Sequence, residues 1–482
     1  MNTGIGQFTS TQYVMSAIFC FLFLTSASAN NPVPQVVGPP IPQAVVPGSG
    51  EFTLTVYGAN FVSGAVVNWN RSPRSTTYIS RRELHAQILA SDVATATAGY
   101  ITVTNPVPGG GVSSSSYALV EVHTPTSSIV AKRPIPYLKD RGLLYLPLAD
   151  FNNDGILDFA AQQGRRDMEV RLGNGDGTFR FGSISAYNAY SQSAIATGDF
   201  NNDGNEDLVF GADWQGPPTQ LQVNLGDGEG RFRFGSRFAH FAELYPLDIA
   251  VGDFDGDGNL DLALAAAGTS IQIFLGNGDG TFQLPQDYAT AYYPFSLVAG
   301  DFKGDGKLDL IVDSDNGLQI LFGNGDGTFQ KARNIASFRH AVGGLLANDF
   351  NGDGNLDLAV GEREQTNGKL WIILGRGDGT FTKPVAIPIP CGRYGFSFTA
   401  GDFNSDGKTD LVTNYNVTND QSETDLYLGN GDGTFQKKKI VNLPGAPNYN
   451  AELGIVPADF NSDGLLDFIF QQPGDLAVFL QK

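Results

Sequence analysis

A nine-residue stretch, DFNNDGILD at residues 150–158, returns six more times: DFNNDGNED from 199, DFDGDGNLD from 253, DFKGDGKLD from 301, DFNGDGNLD from 349, DFNSDGKTD from 402 and DFNSDGLLD from 459. Successive starts lie 49, 54, 48, 48, 53 and 57 residues apart. A nearly constant period of this length marks a repeat architecture, in which each unit buries its faces only against its neighbours.

Within each copy, positions one, five and nine are Asp and position six is Gly; position three is Asn or Asp in every copy but the fourth. Hard oxygen donors at alternating positions around a glycine turn describe a calcium loop. The first loop would ligate through Asp150, Asn152, Asp154 and Asp158, with the carbonyl of Ile156. The matching sets are Asp199, Asn201, Asp203, Asn205 and Asp207, then Asp253, Asp255, Asp257, Asn259 and Asp261. They continue with Asp349, Asn351, Asp353, Asn355 and Asp357, with Asp402, Asn404, Asp406, Lys408 and Asp410, and with Asp459, Asn461, Asp463, Leu465 and Asp467. In the fourth copy Lys303 stands at position three and brings a positive charge, so Asp301, Asp305 and Asp309 form a weakened or lost site. Six or seven Ca²⁺ ions are therefore expected.

An EF-hand would need a Glu at position twelve. That position holds Ala161, Phe210, Leu264, Val312, Val360, Thr413 and Phe470, most of them strand residues, so the loop belongs in a β-hairpin. Asp, Asn and Gly also make ordinary turns, but turn propensity alone does not fix Asp at three positions in seven copies.

The net charge of −20 follows largely from these loops. Seven divalent ions would add 14 positive charges and bring −20 to −6. An acidic chain without a basic stripe excludes nucleic acid as the expected partner. Of the two cysteines, Cys20 lies in the leader, which leaves Cys391 alone in a mature chain.

Residues 1–29 read as a secretory signal peptide: VMSAIFCFLFLTSASA is apolar and ends in an Ala27-x-Ala29 pattern. No Lys or Arg precedes the run, and an uncleaved anchor is the alternative. No later stretch has the 18 apolar residues of a spanning helix. The expected location is secreted or at the cell surface.

Residues 30–123 open with a Pro-rich lead-in and continue with short alternating segments such as EFTLTVYG, AVVNWN, ELHAQILA and YITVTN. That spacing predicts a small β-sandwich. TLTVYGANFVSGAVVNWN and GYITVTNPVPGGGVSSSSYALVEV resemble the IPT/TIG family of immunoglobulin-like domains, which implies a spacer or interaction module. Trp69 is expected in its core.

Across residues 124–482 each unit has one internal order. A strand enters the calcium loop (LDIAVGDF), a second leaves it (LDLALAA), a third ends in a glycine turn (IQIFLGNGDGTF) and a fourth follows. Four strands and a period near 50 fit a propeller blade. The seventh unit stops where its fourth strand should begin, and residues 127–136 (SSIVAKRPIP) can supply that strand. The fold class is therefore all-β: a seven-bladed β-propeller preceded by a small immunoglobulin-like β-sandwich. DFNGDGNLD followed by LGNGDGTF resembles the FG-GAP/VCBS repeats of secreted proteins and the integrin α propeller. The resemblance implies the same fold and calcium loops, and it leaves function open because one fold hosts many activities.

Strand parity puts the calcium loops and the NGDG turns on one ring face and the variable segments on the other. Function favours variable loops on a rigid scaffold. Those loops carry Tyr190, Trp214, Tyr245, Tyr293, Arg339, Arg393, Tyr394 and Tyr449, a mixture suited to stacking on a sugar or anchoring a protein. The NGDG turn itself reads as a hairpin, including Arg376-Gly377-Asp378.

The four His residues are scattered, and no HExxH, G-x-S-x-G or phosphate-binding loop occurs. The expectation is a non-enzymatic, exported, calcium-binding propeller that binds an extracellular protein or glycan. The alternatives are a polysaccharide lyase or hydrolase on the same scaffold and a structural surface component.

Overall fold

The computed structural model describes residues 30–113, 118–126, 135–136, 146–163, 167–186, 194–212, 219–241, 246–266, 268–291, 293–314, 317–338, 342–362, 368–391, 396–418, 421–439, 455–472 and 475–481. The predicted leader lies outside them. Among the described residues there is no helix, and so none long and apolar enough to cross a membrane.

The N-terminal module is two sheets packed face to face. One has the order Gln35–Val36, Phe52–Ala59, Glu83–Ile88, Ser75–Ser80; the other runs Ala44–Val45, Leu119–Val122, Thr97–Asn105, Val66–Trp69, Ser72–Pro73. Alternation along the strands sends Leu54, Val56, Leu84, Ala86, Ile101 and Val103 into one shared core with Trp69. Gly99 is required there, because a Cβ would lie 2.3 Å from the Trp69 ring.

Seven further four-stranded antiparallel sheets follow among the described residues. The third blade is Pro246–Gly252, Asp261–Ala266, Ser270–Phe274 and Gln286–Ala289, and the others repeat its order. Burial follows position in the blade. Second strands such as Asp261–Ala266 and Asp309–Ser314 are buried throughout, because neighbouring blades cover both faces. Outer strands such as Gln286–Ala289 are largely exposed and correspondingly polar. In the seventh blade Ile135–Pro136 pairs with Val478 and Ala477, so one N-terminal and three C-terminal strands share a sheet.

The ring closes through one recurrent bond. The second Gly N–H of each glycine turn donates to the carbonyl of the loop Phe in the preceding blade: Gly230 to Phe151, Gly280 to Phe200, Gly327 to Phe254, Gly379 to Phe302, Gly433 to Phe350 and Gly177 back to Phe460, at 2.9–3.2 Å. Between blades six and seven the Gln481 side-chain amide bonds Phe403 O at 2.9 Å. The rings follow the same path: Phe151 packs on Phe232, Phe254 on Phe329, Phe350 on Phe435 and Phe460 on Phe179, with centroids 5.3–5.9 Å apart. The invariant Phe of the loop and the Phe of GTF thus form an inter-blade zipper.

The N-terminal module sits on the ring rather than beside it. It touches the face that carries the Asp-rich loops, and a cavity of about 590 Å³ lies between the module and the inner strands of blades three to seven.

Candidate metal centres on the loop face

Each loop is organised by its own carboxylates. The position-one Asp accepts the position-five N–H on Oδ1 at 3.0–3.2 Å and the Gly N–H on Oδ2 at 2.6–3.0 Å in all seven copies. Position three accepts the position-five N–H wherever it is Asn or Asp. The position-five Asp accepts the position-seven N–H. This winding needs left-handed backbone twice, at position six (Gly in every copy) and at position four, where Asn153, Asn202, Ser405 and Ser462 have φ of 57–60° and the other three copies use Gly. Asn and Gly tolerate that conformation best, and Ser takes it here.

The position-nine Asp has a role that its spacing does not reveal. It is fully buried in every copy. Its Oδ1 accepts the N–H that ends the third strand, from Gly173, Gly226, Gly276, Gly323, Gly375, Gly429 and Gln481, at 2.7–2.9 Å. Its Oδ2 accepts the loop Phe N–H in six copies and the Lys303 N–H in the fourth. One carboxylate therefore ties the Asp-rich loop to the glycine turn. Each oxygen has a second lone pair, so the bridge and a metal bond are compatible.

Burial pushes these carboxyls up. The position-nine groups rise to about 7 at Asp158, Asp207, Asp309 and Asp357, about 8 at Asp410 and about 9 at Asp261, against the pull of their backbone donors. Asp253 and Asp402 rise to about 7 for the same reason. In the third loop Asp253, Asp255 and Asp261 bring carboxylate oxygens within 4.8 Å of one another. Crowded, desolvated carboxylates need a proton or a cation. An all-oxygen donor set of Asp, Asn and carbonyl groups suits a hard cation and lacks the His or Cys that zinc and copper favour.

The fourth loop departs as its sequence indicates. Lys303 Nζ bonds Asp305 Oδ2 at 3.0 Å, and Arg82 of the N-terminal module approaches Asp301 Oδ2 to 4.0 Å. Other module groups reach other loops. Arg71 bonds Asp150 Oδ2 and, at 2.8 Å, Asn153 O. Val33 N–H donates to Asp253 Oδ2 at 2.7 Å. Arg82 Nη2 donates to Gly354 O at 3.0 Å, Tyr100 OH to Asp459 O at 2.8 Å, and Glu121 accepts from Ser405. Six of the seven loops are thus contacted. The module is docked on the loop face, a placement that its reading as a spacer or interaction module left open, because its contact residues are scattered singly over 90 positions.

Of the residues proposed to bind a ligand, Tyr190, Trp214, Tyr245, Arg339, Arg393, Tyr394 and Tyr449 lie outside the described residues. Tyr293 lies within them, in left-handed backbone (φ 61°), with its ring 4.7 Å from that of Phe295. Asp378 of the Arg-Gly-Asp triplet accepts both the N–H and the hydroxyl of Thr380, an internal turn role.

A family model described as an FG-GAP-like repeat matches residues 150–210, 199–264, 253–312, 301–360, 349–413 and 415–470. No curated protein matches the chain in sequence. Among solved structures the chain is similar to an Agrocybe aegerita lectin that recognises non-reducing terminal N-acetylglucosamine, with TM-score 0.47, 17% identity, and 77% of this chain and 94% of that one covered. It is also similar to a Bacillus licheniformis rhamnogalacturonan lyase, with TM-score 0.44, 12% identity, and 93% and 90% covered. A Pseudomonas aeruginosa periplasmic gluconolactonase gives TM-score 0.44, 12% identity, and 72% and 93% covered. The expectation that the protein is not an enzyme is corrected by these likenesses, since two of the three structures are enzymes. The physical reason is that loops of different blades meet on a ring face from positions some 50 residues apart. Catalytic groups assembled that way leave no short motif to find.

Proposed function

The chain belongs to the FG-GAP-like repeat family, and on that footing we propose that it is an exported, calcium-stabilised propeller that acts on polysaccharide at its variable ring face. The single observation that carries the calcium part is the sevenfold loop, whose fully buried position-nine carboxylates and position-one carboxylates, buried in five copies and half-buried at Asp150 and Asp199, have among the described residues no balancing cation beyond Arg71, Arg82 and Lys303. In each standard loop the side chains at positions one, three, five and nine, with the position-seven carbonyl, would hold Ca²⁺. The ion supplies charge neutralisation and fixes the turn; the Asp residues and their backbone donors position one blade hairpin against the next.

The module covers the loop face, so substrate is assigned to the opposite face, where strand parity alone puts the aromatic and Arg-bearing segments. Aromatic rings in such segments would suit stacking on sugar faces, and Arg would suit acidic sugars. The lectin and the rhamnogalacturonan lyase of similar architecture are consistent with a carbohydrate ligand. The apolar leader ending at Ala29 supports export, and the IPT/TIG resemblance supports an immunoglobulin-like module. The test is depolymerisation of plant and algal polysaccharides, rhamnogalacturonan included, alongside a glycan array, both in Ca²⁺. New chain ends are the expected result. Sugar binding without turnover would convert the reading to a lectin, and neither outcome on any glycan would end it.

A further inference from the structure

Three loops receive a donor from the N-terminal module at one shared atom, Oδ2 of the first Asp. At loop three the donor is neutral, the Val33 N–H. At loop one it is the Arg71 guanidinium. At loop four the Arg82 guanidinium stands 4.0 Å away, and Lys303 adds a second positive charge on Asp305. The atom approached is the same in all three loops, while the charge of the group and its distance differ.

We propose that the module grades the calcium loops: Arg71 makes loop one a weak site, Arg82 with Lys303 makes loop four a weak site, and loop three, met among the described residues by the neutral Val33 N–H and Asn60 side-chain amide and holding the tightest carboxylate cluster, is the strongest. This inference rests on the calcium reading above. The Oδ2 atoms that Arg71, Val33 and Arg82 approach also accept the loop Gly N–H. Oδ1 accepts one backbone N–H at Asp150 and at Asp301, and two at Asp253, from Gly256 at 2.7 Å and more weakly from Asp257 at 3.2 Å, so in loop three the ion would compete with the longer of these. A guanidinium held across one carboxylate from a divalent cation repels it, and even water-like screening makes that about a tenfold loss of affinity. A neutral N–H at the same atom orients the carboxylate without that cost, as an outer-shell donor does in other metal sites. Arg71 further anchors the module through Asn153 O, so docking and metal binding draw on the same side chain.

The test is calorimetric titration of the chelator-treated full-length protein with CaCl₂. Wild type should show a tight and a weak class of sites. Arg71→Gln should move one site out of the weak class with its Kd falling about tenfold, whereas Arg71→Lys, which keeps the charge, should leave it weak. Asp150→Asn in the wild-type background should remove a weak site and spare the tight class. An unchanged isotherm for Arg71→Gln, or loss of a tight site in Asp150→Asn, overturns the grading while leaving calcium binding intact. A wild-type protein that binds no Ca²⁺ overturns the calcium reading itself. The melting temperature in saturating Ca²⁺ confirms that each variant is folded.

Discussion

At the scale of single residues, Asp does two jobs in one loop, and substitution should separate them. Asp357 gives both oxygens to backbone N–H groups, those of Phe350 and Gly375, in a fully buried setting. Asp357→Ala strands two buried donors and should cost about 2–5 kcal/mol in chemical denaturation even in chelator. Asp353, at position five of the same loop, accepts the Asn355 N–H and the Asn351 side-chain amide, both at an exposed site. Asp353→Ala should lose a calcium site with little effect on metal-free stability. Equal losses in chelator for the two variants would deny the distinction.

The same carboxyls predict a pH dependence. Position-nine groups are pushed up to about 7–9 in the fold, against about 3.9 in an unfolded chain. The folded, metal-free protein therefore binds more protons than the unfolded chain between these values, and its stability falls as pH rises. In chelator the melting temperature should drop from pH 5 to pH 8; in saturating Ca²⁺, which holds the groups ionised, that slope should vanish. A slope independent of calcium would mean that the loops do not take the ion.

At the scale of elements, the blade was legible where its cause is local. The DxNxDG pattern fixes the turn, and an apolar run after it fixes a second strand buried on both sides. The zipper was not legible, because its partners lie in different blades: Gly280 bonds Phe200, 80 positions away. The Gly of GDF is explained only by the next blade. A Cβ at Gly300 would lie 2.5 Å from Leu356 Cδ1, and at Gly198, Gly252 and Gly401 it would meet Leu260, Leu308 and Leu466 at 2.5–2.7 Å. Where Glu206 or Thr409 replaces that Leu, the facing residue is Ala149 or Asn348, and Thr409 bonds Asn348 Oδ1 at 3.3 Å. Gly300→Ala should therefore cost about 1–3 kcal/mol by overpacking, and adding Leu356→Ala should cost less than the sum of the single changes. Additive losses would remove the steric explanation.

At the scale of the whole molecule, the ring and the module share the face of the Asp-rich loops. Sequence placed the loops on one side of the ring and left the module as an appendage, since Arg71 and Asp150 are 79 positions apart and no local pattern joins them. In the fold the module's donors end on loop atoms, including Asp253 Oδ2, Gly354 O and Asp459 O. A loop that gave up a bound ion would leave several carboxylates in mutual repulsion and would displace those acceptors. Calcium removal should then do two things together: lower the melting temperature, because an ion that binds only the folded loops stabilises them by mass action, and release the module. Hydrogen exchange at the Val33 amide, which is protected by Asp253, reads the second event directly. Its protection should fall in chelator and return with Ca²⁺, in step with the melting temperature. A Val33 amide that stays protected while the ring loosens would show that docking stands on the module's apolar contacts alone, and the loops would then hold the blades together without holding the module.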